Sequence, residues 1–440
     1  MSAAGFGWGA IGRLGSVQAS IGAIVMLATS LLNRLMVVEY GLAAAVPAGL
    51  VAWHYAVQLS RPAWGHGSDR GRERTPWILA GMAMLGLGAL LAVNAVILLD
   101  ASSSMALFAL VLAFTMIGAG VGAAGTSLLA LLASGVAPER RAAAAAVTWI
   151  MMVAGIVIAA GTAGALLEPF SEQRLALVAS GVVATALLVT ICATWRIERL
   201  ALAVPHKPGA RSEVDGADFA TALREIWQDR AARRFTVFIF VSMLAYSMQD
   251  LILEPFAGLV FAMSPGQSTQ LSGIQHGGVL IGMIVTGLGG SAFAGKLPVE
   301  LRHWIIFGCI GSALALTGLA MAAVVGPSWP LTANVFALGF CNGLFAVAAI
   351  GAMMGLASKG TDAREGVRMG VWGAAQAIAF GAGGLLGALG VDFARAAQGQ
   401  DGEAFQLIFG IEAALFIVAA GLALRAAGKA LEHRQGVAQA

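Results

Sequence analysis

Ionisable and amide side chains interrupt two otherwise apolar stretches of this sequence, and these are the residues best placed to do chemistry. One group lies within residues 30–40 and the other within residues 249–255. Charged side chains are costly inside hydrocarbon, so there they pair, bind a ligand or relay protons. The two groups are Asn33, Arg34 and Glu39 in the first stretch and Gln249, Asp250 and Glu254 in the second.

Asp250 and Glu254 are four residues apart, a spacing that places both on one face of a helix. Two carboxylates this close repel each other, so the spacing predicts that one is protonated or that a cation bridges them. One interpretation is a proton-sensitive or ligand-facing pair of helices at a central interface. The alternative is a buried structural network, for example Arg34 paired with an acidic residue of residues 235–263.

A second polar pattern consists of His54, Gln58 and Arg61, whose spacing forms one stripe on a helix. A neutral imidazole in an apolar helix could donate to a carbonyl of another helix. It could instead ligate the magnesium of a tetrapyrrole through one ring nitrogen. His276, next to Gln275, is the second candidate for such a ligand.

Recognisable catalytic motifs are missing from the sequence. There is no phosphate-binding loop, no zinc spacing and no arrangement of serine, histidine and aspartate that indicates a nucleophile. We therefore expect no enzyme activity, no catalytic residues and no metal bound directly by the protein. Trp372 and Gln376 are one helical turn apart and could line a pocket or pack against another helix.

The composition predicts an all-α integral membrane protein. The chain has 440 residues, of which 59% are hydrophobic and 11% charged, whereas soluble domains carry about 25% charged residues. Apolar runs of membrane-spanning length recur along the chain. The net charge of +3 comes from basic residues concentrated in loops, which argues for membrane lipids and against nucleic acid as the partner.

Apolar periodicity predicts twelve transmembrane helices with a cytoplasmic lead (1–15), two six-helix bundles (16–195 and 235–427), a cytoplasmic linker (196–234) and a cytoplasmic tail (428–440). Residues 219–227 of the linker could form an amphipathic helix on the membrane surface. With both termini cytoplasmic, 23 of the 26 Lys and Arg residues lie on the cytoplasmic side. The predicted spans are residues 16–38, 41–63, 76–99, 105–135, 142–167, 175–195, 235–263, 271–295, 301–325, 330–358, 367–391 and 404–427.

The polar loop predicted at residues 64–77 resembles the loop between helices 2 and 3 of the major facilitator superfamily. Its pattern is roughly G-x-x-x-D-R-x-G-R-[KR], which Gly65, Asp69 and Arg70 match, while Gly71 comes one residue early. Weak similarity between residues near 65–76 and 287–298 agrees with the six-plus-six repeat of that superfamily. The residues assigned to the loop motif are Gly65, Gly67, Asp69, Arg70, Gly71, Arg72 and Arg74.

Longer segments of the sequence resemble one particular family within that superfamily. The segments LNRLMVVEYGL (32–42), WHYAVQ (53–58), RPAWGHGSDRGRERTPWI (61–78) and QDLILEPFAG (249–258) resemble the PucC/LhaA family of photosynthetic bacteria, the bacteriochlorophyll delivery branch of the superfamily. The resemblance implies a multi-pass protein of the bacterial inner or intracytoplasmic photosynthetic membrane. It implies bacteriochlorophyll as transient cargo, light-harvesting antenna polypeptides as partners, and a link to chlorophyll synthase or another pigment-synthesis enzyme.

Three functional interpretations follow. The first is a non-enzymatic assembly factor that delivers bacteriochlorophyll to antenna polypeptides. The second is a proton-coupled transporter of a small solute that uses Glu39, Asp250 or Glu254. The third is a ligand-free scaffold that holds antenna peptides or pigment-synthesis enzymes.

Overall fold

The computed structural model describes residues 6–70, 73–99, 103–137, 140–201, 228, 230–291, 301–357 and 365–437, and this part of the chain is almost entirely helical. Helices are expected because a backbone in hydrocarbon must satisfy its own hydrogen bonds. In chain order the helices are α1 (Trp8–Glu39), α2 (Ala45–Val57), α3 (Arg61–Arg70), α4 (Thr75–Ile97), α5 (Ser103–Gly135), α6 (Arg141–Leu166), α7 (Glu172–Thr194), α8 (Ile197–Ala201), α9 (Arg230–Phe261), α10 (Pro265–Ser291), α11 (Leu301–Val325), α12 (Leu331–Ala357), α13 (Glu365–Gln398) and α14 (Asp401–Val437).

Ten helices in the described residues are long and apolar enough to cross a membrane. The predicted spans 41–63 and 271–295 do not meet that measure. The first is divided between α2 and α3 by a 3-10 turn at Gln58–Ser60, and the second lies in α10, whose first half is rich in Gln, Ser and Thr. The chain is thus an all-α membrane protein, and the count of twelve spans and the cytoplasmic termini stay predictions.

The helices pack as two compact units. The first comprises Met1–Gly209 and Leu251–His276, and the second comprises Ala210–Asp250 and Gly277–Ala440. Helices α9 and α10 therefore contribute residues to both units. The predicted bundle boundaries at 16–195 and 235–427 stay predictions, and the expected amphipathic helix at 219–227 lies outside the described residues.

Close backbone contacts hold the first unit together. A Cβ added to Gly155 of α6 would lie 2.2 Å from the carbonyl oxygen of Ala19 on α1. A Cβ added to Gly120 of α5 would lie 2.6 Å from the amide nitrogen of Leu85 on α4. Helices in lipid associate through such packing because no hydrophobic driving force acts between them, and only a glycine permits these approaches.

The second unit is built in the same way, with polar links added. Helix α11 packs against α12 and α14, and α13 packs against α14. A hydrogen bond of 2.8 Å from Ser312 Oγ to Asn342 Oδ1 joins α11 to α12. Ser247 Oγ donates to the carbonyl of Ala379 at 3.0 Å and joins α9 to α13.

The predicted loop at residues 64–77 is largely helical, which corrects the sequence interpretation. Helix α3 continues through Arg70, and α4 already begins at Thr75. The glycines in α3 cost the helix only about 1 kcal/mol each, so they weaken the helix without ending it. Of the assigned motif residues, Gly65, Gly67, Asp69 and Arg70 lie in α3, Arg74 precedes α4, and Gly71 and Arg72 lie outside the described residues.

A carboxylate from a distant segment caps the start of α4. Glu198 Oε1, on α8, accepts from the backbone N–H of Arg74 at 2.8 Å and of Thr75 at 2.5 Å, and from Thr75 Oγ1 at 2.6 Å. These amides have no partner within the helix, and Pro76 has no N–H to satisfy. A negative charge is also favoured at the positive end of the helix dipole.

Replacing Glu198 should therefore lower the stability of the first unit. We expect Glu198→Ala to cost about 1–2 kcal/mol, because the first amides of α4 lose the side-chain cap that Glu198 provides. The measurement is the thermal unfolding midpoint of the purified protein in detergent. Glu73→Gln is the control, since Glu73 is exposed and lies just before the same helix. Equal midpoints for the two variants would contradict the prediction.

Candidate functional site

The polar residues predicted near residue 34 lie on an irregular part of α1. The helix contains π-helical turns at Leu27–Leu31 and Leu35–Glu39, on either side of the short α-helical segment Leu32–Arg34. A π-helical turn carries an additional residue, so it changes the direction in which the following side chains point. Such turns occur frequently at functional sites.

Arg34 is the largest fully buried side chain of this segment, with 2% of its surface exposed. Its Nη1 forms an ion pair with Glu39, and its Nη2 donates to the carbonyl of Met263 at 2.6 Å. The sequence pattern offers an acidic residue of residues 235–263 as the partner of Arg34. The structure instead pairs Arg34 with Glu39 of its own helix, while Glu254 lies within electrostatic reach of the guanidinium.

Asn33 compensates for the proline inside α9. Pro255 has no backbone N–H, so the carbonyl four residues earlier, that of Leu251, loses its helical partner. Asn33 Nδ2 donates to this carbonyl at 2.7 Å. Asn33 is 1% exposed, so the bond forms where water does not reach. The side chain therefore fixes the register of α1 against α9.

Glu254 belongs to the same polar cluster. It is 2% exposed, and its Oε1 accepts a hydrogen bond from Ser30. The Ser30 hydroxyl also lies 3.1 Å from that of Ser272 on α10. Within the described chain, Glu254 Oε2 is buried without a hydrogen-bond partner. We name Ser30, Asn33, Arg34, Glu39, Glu254 and Ser272 the polar cluster of the first unit.

Asp250 and Gln249 lie outside the polar cluster, in the second unit. Asp250 lies within electrostatic reach of Glu412 on α14. The pairing of Asp250 with Glu254 stays a prediction. Sequence analysis missed Glu412, although a signal was present: it is the one acidic residue in the apolar run 404–427.

The stripe on α2 and α3 is a continuous hydrogen-bonded chain. Arg61 Nη2 donates to Gln58 Oε1, so the Gln58 amide nitrogen faces His54 Nε2 at 2.7 Å. His54 Nε2 is then the acceptor, and the proton lies on Nδ1. His54 is 2% exposed. Its metal-binding lone pair on Nε2 is thus already used by Gln58.

His276 has the opposite arrangement. Its Nδ1 lies 2.9 Å from the carbonyl of Ser272, which can only accept, so Nδ1 carries the proton. The Nε2 lone pair then points away from this bond. Histidines that ligate metals in proteins commonly donate their other N–H to a backbone carbonyl in this way. Through Ser272 the imidazole is adjacent to the polar cluster, and the neighbouring Gln275 is 3% exposed.

The remaining candidates contribute less. Gln376 Nε2 lies 3.9 Å from Met243 Sδ, a weak contact that joins α13 to α9. The side chain of Trp372 lies outside the described residues. In the part of the chain that the structure describes, no group of three or more His, Cys, Asp or Glu residues is arranged to hold a metal ion.

Comparison with known sequences shows relatives in Rhodobacter capsulatus. The PUCC protein family matches residues 31–430. A bacteriochlorophyll synthase 44.5 kDa chain of Rhodobacter capsulatus is 51% identical over 418 residues, which cover 95% of each chain. An uncharacterized protein in the puhA-bchM intergenic region of Rhodobacter capsulatus is 30% identical and covers 84% of this chain and 77% of its own. Protein PucC of Rhodobacter capsulatus is 28% identical, with coverage of 94% and 91%.

Solved transporter structures share the fold. The peptide transporter POT in complex with sulfate has a TM-score of 0.65 at 15% identity and covers 95% of this chain and 94% of its own. A variant of the nucleoside transporter NupG has a TM-score of 0.67 at 14% identity, with coverage of 95% and 99%. At identities this low, the structural likeness shows the major facilitator fold and nothing more. Together with the apolar helices and the bacterial relatives, the fold makes this chain a multi-pass bacterial membrane protein.

The role of Asn33 leads to a testable double-mutant cycle. Asn33→Ala should destabilise the protein by about 1–3 kcal/mol, because the Leu251 carbonyl is left buried and unpaired. Pro255→Ala restores a backbone N–H four residues after Leu251. In that background Asn33→Ala should cost much less, and the cycle isolates this coupling. The measurement is the unfolding midpoint of the four proteins in detergent. Additive effects would show that Asn33 does not compensate for Pro255.

Proposed function

Because the chain belongs to the PUCC protein family, we propose that it is a non-enzymatic assembly factor for light-harvesting complexes. It handles bacteriochlorophyll in the photosynthetic membrane and delivers this pigment to antenna polypeptides. The family match over residues 31–430 and the relative named as a bacteriochlorophyll synthase chain support this proposal. Chlorophyll synthase or another pigment-synthesis enzyme is the proposed donor of the pigment.

The observation that carries the proposal is the hydrogen bonding of His276. Its Nδ1–H donates to the Ser272 carbonyl, and the ring has no other hydrogen bond within the described residues. The free lone pair on Nε2 is suited to the magnesium of a tetrapyrrole, which takes a neutral imidazole as an axial ligand. His54 is less suited, because Gln58 would first have to turn away from its Nε2.

A cargo protein must also release its cargo. One axial bond from a single imidazole holds a pigment more weakly than a closed set of ligands, and the described residues offer no metal cluster beside it. The adjacent serines, Ser30 and Ser272, provide hydroxyl groups that could accept or donate to polar substituents of the pigment. This combination favours transient handling over permanent binding.

Replacement of His276 tests the proposal. The wild-type protein purified from a pigment-producing host should show the absorption of bound bacteriochlorophyll. His276→Leu should lower the bound pigment by about tenfold or more, as expected for the loss of a metal ligand. His54→Leu should retain it, and His66→Leu is the matched control because His66 is exposed on α3.

Three results would contradict the proposal. The first is a pigment-free wild-type protein together with normal antenna assembly in a deletion strain. The second is equal pigment content in all four proteins. The third is crosslinking of antenna peptides to a protein that never carries pigment, which would identify a scaffold. Size-exclusion profiles of the variants would establish that they remain folded.

A second candidate function is proton-coupled transport of a small solute. The observation that favours it is Glu254, a buried carboxylate whose Oε2 has no hydrogen-bond partner in the described chain. Buried carboxylates in transporters often carry the coupling proton. The likeness to POT and NupG supports only the fold on which such transport is built.

Uptake into vesicles tests this second candidate. A panel of radiolabelled small solutes would be offered to the reconstituted protein under an imposed pH gradient. Transport predicts gradient-dependent uptake that Glu254→Gln removes and Glu73→Gln, at an exposed site, leaves intact. Uptake that is unaffected by Glu254→Gln, or no uptake of any solute, would count against it.

A further inference from the structure

Acidic residues on α9 and α14 of the second unit include buried polar atoms that have no hydrogen-bond partner among the described residues. Glu412 is 0% exposed, and neither of its carboxylate oxygens has a hydrogen-bond partner within the described chain. Asp250 Oδ1 is likewise buried and unpaired there. Asp250 and Glu412 lie within electrostatic reach of each other. Buried polar atoms are nearly always hydrogen-bonded, so these require an explanation.

Gln249, next to Asp250 in the sequence, is a third unpartnered polar side chain. Gln249 is 0% exposed, and neither its amide nitrogen nor its amide oxygen has a hydrogen bond among the described residues. Gln249 precedes Asp250 directly on α9. A polar side chain so deeply buried indicates that the region accommodates a proton, water or another polar species that bonds to it.

Aromatic rings pack against one another on the helices near Asp250 and Glu412. Tyr246 lies one helical turn before Asp250, and its ring centroid is 6.2 Å from that of Phe345 and 5.6 Å from that of Phe380. Phe416 lies one turn after Glu412, and its centroid is 5.5 Å from that of Phe345. Aromatic surroundings have a low dielectric constant, which strengthens any electrostatic interaction there.

The cationic groups of the neighbouring helices are engaged elsewhere. On α13, Arg395 pairs with Asp401 at 2.6 Å, and on α11, Arg302 donates to the carbonyl of Leu424 at 3.3 Å. The other titratable side chains that the structure describes on α11, α12 and α13 are Asp392 of α13, His303 and Cys309 of α11 and Cys341 of α12. None of these supplies the positive charge that two ionised carboxylates would need, since His303 is exposed at the start of its helix.

We propose that Asp250 and Glu412 form a proton-binding pair that holds one proton at neutral pH. Two ionised carboxylates in this apolar region would repel each other and would both be desolvated. Protonation of one removes the repulsion and creates an O–H donor for the other. The pair belongs to the second unit, whereas the polar cluster belongs to the first.

Infrared spectroscopy tests the pair directly. The wild-type protein in lipid vesicles should show a carbonyl-stretch band of protonated carboxylic acid at neutral pH, and this band should shift in deuterated water. Both Asp250→Asn and Glu412→Gln should remove the same component of the band. Glu403→Gln is the matched control, because Glu403 is exposed on the same helix as Glu412.

Chemical labelling of the wild-type protein avoids any dependence on variants that fold. A hydrophobic carbodiimide reacts with protonated carboxyl groups in apolar surroundings, so mass spectrometry should find the label on Asp250 or Glu412 at neutral pH. Labelling should fall as the pH rises. The proposal is overturned if neither residue is labelled and the spectra of wild type and Glu412→Gln are identical. It is also overturned if sodium, potassium or magnesium ions abolish labelling at constant pH, since the pair would then bind a cation.

Discussion

The absence of water inside a membrane is the constraint on which the first unit depends. Every backbone polar group there must find its partner within the protein. Pro255 leaves the Leu251 carbonyl without a helical donor, and Asn33 of another helix supplies one. The Met263 carbonyl, just beyond the end of α9, is satisfied by Arg34 in the same way. Two consecutive residues of α1 thus bond to backbone groups of one helix and the chain that follows it, which fixes both the depth and the rotation of α1.

The irregularity of α1 follows from this requirement. In a regular helix Asn33 would point about 100° and Glu39 about 140° away from Arg34 around the helix axis. The π-helical turns on both sides of Leu32–Arg34 change these directions, so that Glu39 can pair with Arg34 five residues earlier. The π-helical turns and the polar cluster therefore belong together, because α1 loses its regular geometry where its polar side chains pair.

The sequence was sufficient to predict the helical membrane character and the burial of Asn33, Arg34 and Glu254. Apolar run length and the polar residues that interrupt a run are local properties, so they can be read without coordinates. The partner of Arg34 could not be predicted, because it depends on π-helical turns that no residue pattern announces. The resemblance carried by residues 32–42 and 249–258 identified the family, which the match over 31–430 confirms.

Other features could not be read because they depend on rotation about helix axes. The spacing of Asp250 and Glu254 predicts a pair, but it cannot show that Glu412 lies within electrostatic reach of Asp250 or that Ser30 bonds to Glu254. The difference between His54 and His276 arises from which ring nitrogen meets Gln58 or the Ser272 carbonyl. Helix α3 extended through Arg70 because glycines weaken a helix without ending it.

The contact between α1 and α6 has a mechanical consequence. With the Gly155 Cα facing the Ala19 carbonyl and no room for even a methyl group, these helices cannot slide past each other without a collision of backbones. The two helices must therefore move as one rigid body. The hydrogen-bonded residues of α1 would move with it, so a displacement of α6 at one membrane surface would be transmitted along α1 to Asn33 and Arg34.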